Sequence, residues 1–407
     1  MGRLLEAASL REVKEAGVPV IPFSVARSPE EVREAAQHFR SAVFVKAHVP
    51  AGGRQKGGVI SLAPSPDRAA DIAAALLGTT FRRYPISEVL VSPAARIRRE
   101  LFVAVALDES RKGPVVIFSA HGGIDVETLA RERPAGVQIF PVNMLAGLGP
   151  ADAETIVRAG GLRGPAVSAT RDILLHLYRL FRRTDARLVE INPLAETDEG
   201  TLLALSACIY SDDRAAYRQP RLSEGVLPAG NGWRPFTSRE LAMRDVDALD
   251  PDVGHIRFHE FDDGEIALMI TGGGGGAVAF DTLIANGMRP ALTFDISIGD
   301  IEEKLYRATQ IVLSRPGLKG LIAGSNFTNF APVEARVRGI VRALQDPAAP
   351  VTFPVVLRFC GPDQETAARL AAGLPFVEYL DERVRIDEAV ERVIALVRAR
   401  AGRAVTA

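Results

Sequence analysis

Apolar residues recur along this chain in two rhythms, and the rhythm changes just past its middle. In the first half, Leu4, Leu5, Leu10 and Val13 predict a helix that stops at Gly17, glycine being a usual residue just beyond a helix end. Pro19–Phe23 reads as a strand. Ser28-Pro29-Glu30-Glu31 predicts a capping box with proline in the first turn, opening a helix that turns Val32, Ala36 and Phe39 inward. Short apolar runs predict strands at Ala42–Ala47, Glu88–Val91, Glu100–Ala106, Val115–Ser119, Ala186–Ile191 and Leu202–Leu205. These strands do not alternate regularly with helices, which points to an α+β half. Residues 219–236 are rich in proline and glycine, lack periodicity and read as a linker. Beyond them, strands at Ile266–Ile270, Ala291–Phe294, Gly320–Ala323, Val351–Leu357 and Phe376–Leu380 alternate with helical segments after Gly276, Asp300, Pro332, Asp363 and Arg385. Such strand–helix units predict a parallel, doubly wound sheet with sites at the carboxyl ends of its strands. The expected domains are therefore 1–235 and 236–407.

Length agrees with this division: the chain has 407 residues, and single cores rarely grow past ~250–300 residues. Hydrophobic residues make up 47% and charged residues 24%, the balance of an ordinary soluble protein. A net charge of −1 gives no electrostatic footprint for nucleic acid or an anionic membrane surface. No apolar run approaches the ~18–20 residues of a membrane helix, and Met1-Gly2-Arg3-Leu4 opens no signal peptide. Cys208 and Cys360 form no disulfide framework and match no metal spacing. They read as two buried thiols in a reducing cytoplasm.

Four segments carry chemistry-bearing residues. Lys46 ends an apolar strand just before Gly52-Gly53-Arg54-Gln55-Lys56-Gly57-Gly58, a loop whose backbone N–H groups and cations suit an anion, although the P-loop pattern is absent. Glu190-Ile191-Asn192-Pro193 ends a strand with a carboxylate and an amide on one face, both hard oxygen ligands suited to Mg²⁺; a plain Asn-Pro turn is the alternative. Thr271–Gly276 is a glycine run between strand and helix. With Ala277 and Asp295 it satisfies a weak dinucleotide fingerprint, and it equally suits an anion at a helix N-terminus. Gly324–Pro332 brings Asn326, Thr328 and Asn329 to the start of another helix, a seat for a carboxylate that Arg358 on the next strand could clamp.

Taken in order, these segments resemble the β-type subunits of succinyl-CoA synthetase, within the ATP-grasp superfamily, and more closely those of ATP citrate lyase and citryl-CoA synthetase. The resemblance rests on VKAHVPAGGRQKGGV (Val45–Val59), HGGIDVE (His121–Glu127), VEINPL (Val189–Leu194), GEIALMITGGGG (Gly264–Gly275) and NFTN (Asn326–Asn329), and so spans nearly the whole chain. NFTN with RFCGPD (Arg358–Asp363) looks like the citrate branch. The resemblance implies an ATP-grasp nucleotide-binding half in two subdomains, then a Rossmann-like (flavodoxin-like) half that binds the acid and contacts a partner. It further implies that ATP with Mg²⁺ phosphorylates a histidine on an α-type, CoA-binding partner subunit in a cytoplasmic hetero-oligomer. The phosphoryl group then activates a di- or tricarboxylate for attack by CoA. On that basis Lys46, Gly53, Arg54 and Gln55 hold phosphates, Glu100 falls on the nucleotide-site glutamate, and Asn192 falls on a Mg²⁺ ligand. Glu190 falls on the glutamate facing the phosphohistidine. Gly273, Asn326, Phe327, Thr328 and Arg358 form the acid seat.

This sequence departs from the family at several points. The aspartate expected fourteen positions after Asn192 is Ser206, with Asp212 or Asp213 as possible substitutes. Arg358 is followed by Phe359 where citrate-branch subunits carry a second arginine. The stretch Thr293–Asp300 lacks the usual tyrosine and glycine-rich wording, so the acid could differ from citrate. None of His38, His48, His121, His176, His255 and His259 stands in the setting of the family's phosphohistidine, so that group belongs to a partner. Rival readings are a succinyl- or malyl-CoA synthetase subunit, a dinucleotide oxidoreductase built on Gly272–Ala277 and Asp295, and a non-catalytic regulatory subunit suggested by Ser206.

Overall fold

Strand Ile97–Asp108 pairs with Ala186–Thr197 on one side and with Gly113–Ser119 on the other, forming the middle of an antiparallel sheet. The computed structural model describes residues 2–123, 131, 136–225, 234–250, 252–297, 301–329, 331–348 and 350–405. They divide into two units, Met1–Pro235 and Phe236–Ala407. Within the described residues of the first unit, the sheet is extended by Gly2–Arg3, Ala207–Ser211, Leu202–Ala204 and Gln138–Pro141 to seven strands. Helices Pro150–Ala159 and Ala166–Arg183 cover it, burying Leu174, Leu177 and Ile156 against Val103, Val105 and Phe118. A smaller sheet of four strands, Ser24–Ala26, Val89–Pro93, Val43–Ala47 and Ile60–Ala63, has its own core of Val32, Val43, Val45, Ile72 and Val91.

Several predicted elements shift. Pro19–Phe23 is not a strand: Val20 makes one isolated bridge with Ala204, and the strand starts at Ser24. Pro19 and Pro22 lack the N–H groups a continuous ladder needs. The first helix spans Glu6–Glu15, so Leu4 and Leu5 precede it while remaining buried. Ser28 caps its helix by accepting from the Glu31 N–H, but the Glu31 carboxylate takes the N–H of Arg27 rather than closing the box on Ser28. Part of the expected linker is helical at Pro220–Gly225; residues 226–233 lie outside the described residues.

The second unit holds five parallel strands: Ile266–Thr271, Pro290–Ile296, Gly320–Phe327, Val355–Cys360 and Val377–Leu380. Numbered along the chain, their order across the sheet is 2-1-3-4-5, which is flavodoxin-like. An antiparallel edge strand at Ile256–Glu260, which the sequence pattern did not reveal, completes the sheet. Alternate residues of the first parallel strand feed two cores, Ala267 and Met269 on one face, Ile266, Leu268 and Ile270 on the other. Burial on both faces explains its continuous apolar run. The fourth strand begins at Val355, just after Pro354, rather than at Val351. The glycine helix begins at Gly273, inside the run that was expected to precede it.

Candidate active site

Lys46 lies near the end of strand Val43–Ala47, and its side chain is buried. Its Nζ donates to the Leu205 carbonyl at 3.1 Å and to Glu6 Oε1 at 3.4 Å. Arg54, from the glycine-rich loop, pairs with the second Glu6 oxygen and donates from Nη1 to the Ala47 carbonyl at 3.0 Å. Burial by itself pushes the Glu6 carboxyl up; the Arg54 and Lys46 charges outweigh it and, with a hydrogen bond from Ser206, hold the carboxyl at about 2. Glu6 was missed by sequence reasoning. Its only signal was an acidic residue in the first turn of an amphipathic helix, a favourable place for negative charge. His48 serves the same helix: Nε2 accepts from the Ala7 N–H at 3.1 Å while Nδ1 lies 2.7 Å from Glu88 Oε1. Burial holds this imidazole below its ordinary range despite Glu88, which keeps Nε2 available as an acceptor.

The loop after Lys46 partly closes on itself. The N–H groups of Gly57, Gly58 and Val59 donate to the carbonyls of Gly53, Gln55 and Arg54 at 3.0, 3.1 and 3.1 Å. Those bonds do not use the N–H groups of Gly53, Arg54 and Gln55, so any anion contact falls to that leading part of the loop.

Glu190 is half-buried on strand Ala186–Thr197, opposite Cys208 on one neighbouring strand and Ala104 on the other. The register against Ile97–Asp108 shifts between Ile191 and Leu194. Simple alternation therefore does not set the direction of Asn192; its contacts do. The Asn192 N–H donates to Ser206 O at 3.3 Å, and the Leu205 N–H donates to Pro193 O at 3.1 Å. Since Lys46 holds the Leu205 carbonyl, the lysine meets the Glu190–Asn192 segment at this turn. The segment lies mid-strand rather than at the strand end the sequence suggests, because pairing resumes past Pro193 and runs to Thr197. Asn192 Oδ1 accepts from the Gly123 N–H at 3.0 Å, and the Gly122 N–H donates to Glu100 O at 2.7 Å. Gly123 has φ +70°, and a Cβ there would lie 1.6 Å from Glu100 Oε2. Glu100, Gly123 and Asn192 thus form one cluster. Cys208 is only partly buried by exposure, unlike Cys360, and desolvation pushes its thiol up to about 11.

The oxygens of this cluster fit a magnesium ion that arrives on phosphates. Among the described residues no three His, Cys, Asp or Glu side chains gather as a metal site. Mg²⁺ is commonly held by one or two protein oxygens, completed by phosphate and water, and the Asn192 amide with the nearby Glu100 carboxylate offers that set. Ser206 turns its hydroxyl to Glu6. Asp212 does not replace the missing aspartate: it follows strand Ala207–Ser211, roughly 20 Å of extended chain beyond Ser206. The side chain of Asp213 and residues 124–127 of the His121–Glu127 string lie outside the described residues.

In the second unit, Gly273, Asn326, Phe327 and Thr328 line a cleft of about 430 Å³. It opens at the carboxyl ends of Ile266–Thr271 and Gly320–Phe327, where the strand order reverses, the usual seat of ligands in such sheets. Asn326 lies over the glycine turn: a Cβ at Gly275 would meet its Oδ1 at 3.0 Å. Its amide therefore serves the start of helix Gly273–Ala285 and not, as the sequence suggested, the helix after Pro332. Nothing lies within 4 Å of a Cβ built on Gly273 or Gly274, so their backbone faces open space. Asp295 accepts from the Gly272 N–H at 2.9 Å and pairs with Arg257 at 3.1 Å. Arg358 does not reach the cleft lining. Its Nε donates to Val384 O at 2.8 Å and its Nη1 to Ser325 O at 2.7 Å, so it holds the loop from behind instead of clamping a carboxylate directly. The cleft has a different arginine in its wall, Arg336, which the helical pattern did not single out.

Comparison with known proteins shows the family. Residues 3–196 match the family model described as an ATP-grasp domain. The chain is 33% identical over 383 residues to the succinate–CoA ligase [GDP-forming] subunit beta of Thermus thermophilus, covering 94% of this chain and 95% of that one. It is 32% identical over 389 residues to the succinate–CoA ligase [ADP-forming] subunit beta of Rubrobacter xylanophilus, with 94% and 95% covered. Among solved structures, ATP citrate lyase from Methanothrix soehngenii in complex with citrate and coenzyme A has the same fold. It superposes with a TM-score of 0.76 at 21% identity, over 97% of this chain and 99% of that one.

Proposed function

This chain belongs to the succinate–CoA ligase β-subunit family, and from that premise we propose that it is the nucleotide-activating subunit of an ADP-forming acid–CoA ligase. The carrying observation is that Lys46 and Arg54 converge on Glu6, and that Lys46 is tied through Leu205 to the strand that bears Glu190 and Asn192. On this reading the two cations, the leading N–H groups of the loop and the oxygens of Glu190 and Asn192 serve one triphosphate, since phosphoryl transfer is catalysed by positioning and charge neutralisation. In this reading Lys46, Gly53, Arg54 and Gln55 hold the phosphates, and Glu100 helps seat the nucleotide. Asn192 would hold Mg²⁺, which when bound neutralises phosphate charge. Glu190 faces the phosphorylated histidine of an α-type, CoA-binding partner in a hetero-oligomer. The acid enters the cleft at Gly273, Asn326, Phe327 and Thr328, whose loop Arg358 supports.

The preferred acid is citrate or a related di- or tricarboxylate, on the strength of the Asn326–Asn329 string. Succinate is the second reading, favoured by identity to the succinate–CoA ligase subunits. A dinucleotide oxidoreductase is disfavoured because Asp295, which would have to greet a ribose, is engaged by Gly272 and Arg257.

The test is to express the chain with a CoA-binding α-type partner and measure ADP release with CoA and each of citrate, succinate and malate. Glu190→Gln should slow ATP-dependent phosphorylation of the partner at least tenfold while leaving the fold intact. An unchanged rate removes Glu190 from the mechanism. Binding of NADH without binding of Mg-ATP would replace the ligase reading with the oxidoreductase.

A further inference from the structure

Arg336 is 2% exposed, although it carries a charge that no accessible pH removes. It lies in the first turn of helix Glu334–Leu344. Helical side chains lean toward the helix N-terminus, and Arg336 accordingly reaches the wall of the cleft formed by Thr271–Gly273, Asp295 and Ser325–Asn329. Its terminal nitrogens Nη1 and Nη2 are shut off from solvent and have no hydrogen-bond partner among the described residues. The other arginines of the helix behave differently. Arg338 pairs with Glu334 and Glu302, and Arg342 pairs with Glu302 and Glu303, all on the partly exposed side. Burial lowers the guanidinium's hold on its proton.

A buried unpaired guanidinium is costly to a fold, and selection for stability alone would favour an apolar side chain there. Among the described residues lining the cleft there is one carboxylate, Asp295, but Arg257 and the Gly272 N–H already engage it. With Arg257 and Arg336 against Asp295, the described side chains lining the cleft carry one surplus positive charge. The same cleft is lined by the start of helix Gly273–Ala285, with open space over Gly273 and Gly274 and the Asn326 amide beside it. One carboxylate at that helix end leaves Arg336 still unpaired. A molecule with two carboxylates satisfies both.

We propose that Arg336 is a specificity-determining residue that takes a second carboxylate of the acid, restricting the substrate class to di- and tricarboxylates. This rests on the acid–CoA ligase reading above. The guanidinium offers two parallel N–H donors, a geometry matched to a carboxylate and wasted on a methyl group. A monocarboxylate would leave the charge buried and unanswered, so it is rejected by the same feature that retains a dicarboxylate.

The experiment compares the parent complex with Arg336→Leu and Arg336→Lys, using succinate and citrate against butyrate, which matches succinate in length but lacks its second carboxylate. Leucine removes the orphan charge with similar bulk, so the variant folds and its melting temperature without acid equals or exceeds that of the parent. Its KM for the preferred acid should rise about ten- to a hundredfold, the worth of a charge-assisted hydrogen bond. The KM for ATP and the rate of partner phosphorylation should stay within about twofold, since neither step uses the acid. Lysine should recover part of the loss. An acid KM within about twofold of the parent in Arg336→Leu overturns the proposal. If the parent turns over no acid at all, the ligase reading fails, and Arg336 is judged by binding alone. A thermal shift with succinate or citrate, absent with butyrate and lost in Arg336→Leu, upholds it. No shift in the parent, or an equal shift in the variant, overturns it.

Discussion

The Lys46 ammonium donates to the main-chain carbonyl of Leu205 at 3.1 Å, joining residues 159 positions apart. This bond fastens the strand before the glycine-rich loop to the turn that lies against Asn192 and Pro193. Lys46→Met keeps most of the bulk but removes the donor. It should leave the Leu205 carbonyl unsatisfied, lower stability by about 1–3 kcal/mol, and reduce Mg-ATP affinity at least tenfold. Denaturant unfolding and nucleotide titration on the same sample measure both. Undiminished affinity would show that Lys46 is structural only.

Acid stability should depend on Glu6. Its folded-state pKa is about 2 against an ordinary 4.5, a depressed value. The ionised carboxylate therefore contributes its full stabilisation above the unfolded-state pKa, and the contribution fades as pH falls from there through about 2. The shift corresponds to about 3 kcal/mol at neutral pH. Glu6→Gln should be destabilised near neutrality and should lose less further stability than the parent between about pH 5 and about pH 3. Parallel urea-midpoint curves for the two proteins over that interval would contradict the assignment.

Gly123 is required on two counts, its φ of +70° and the closeness of Glu100. Gly123→Ala should cost about 1–2 kcal/mol in backbone strain and also displace the Glu100 carboxylate from its place beside Gly123. Gly287 provides the comparison, with φ +73° and nothing within 4 Å of a built Cβ. Gly287→Ala should show the strain without any change in nucleotide binding. If both variants bind Mg-ATP as well as the parent, Glu100 has no role at the nucleotide.

Arg358 holds the Ser325–Thr328 segment, the proposed acid seat, through bonds to Ser325 and Val384. Arg358→Ala abandons one buried acceptor, Ser325 O, at about 1–3 kcal/mol, and a part-buried one, Val384 O, and loosens Ser325–Thr328. The KM for the acid should rise more than the KM for ATP. Equal effects would mean that the loop does not position the acid.

The sequence by itself determined the two kinds of fold. Local periodicity is enough to separate a half with irregular strands from one in which strand and helix alternate, and a buried parallel strand such as Ile266–Thr271 announces itself by an unbroken apolar run. Motif order was also sufficient to bring Lys46, Glu100, Glu190, Asn192 and Asn326 forward as candidates. The short strands Ile60–Ala63 and Ile256–Glu260 escaped because their pairing partners, not their composition, make them strands. Charge partnership was equally invisible. Whether an arginine meets a carbonyl, a carboxylate or nothing depends on residues far away in the chain, so only the tertiary structure could show that Arg358 holds a loop, that Glu6 answers Lys46 and Arg54, and that Arg336 is buried without an answer among the described residues. Pattern fixes which face of an element is apolar; long-range packing decides which charges are left waiting for a ligand.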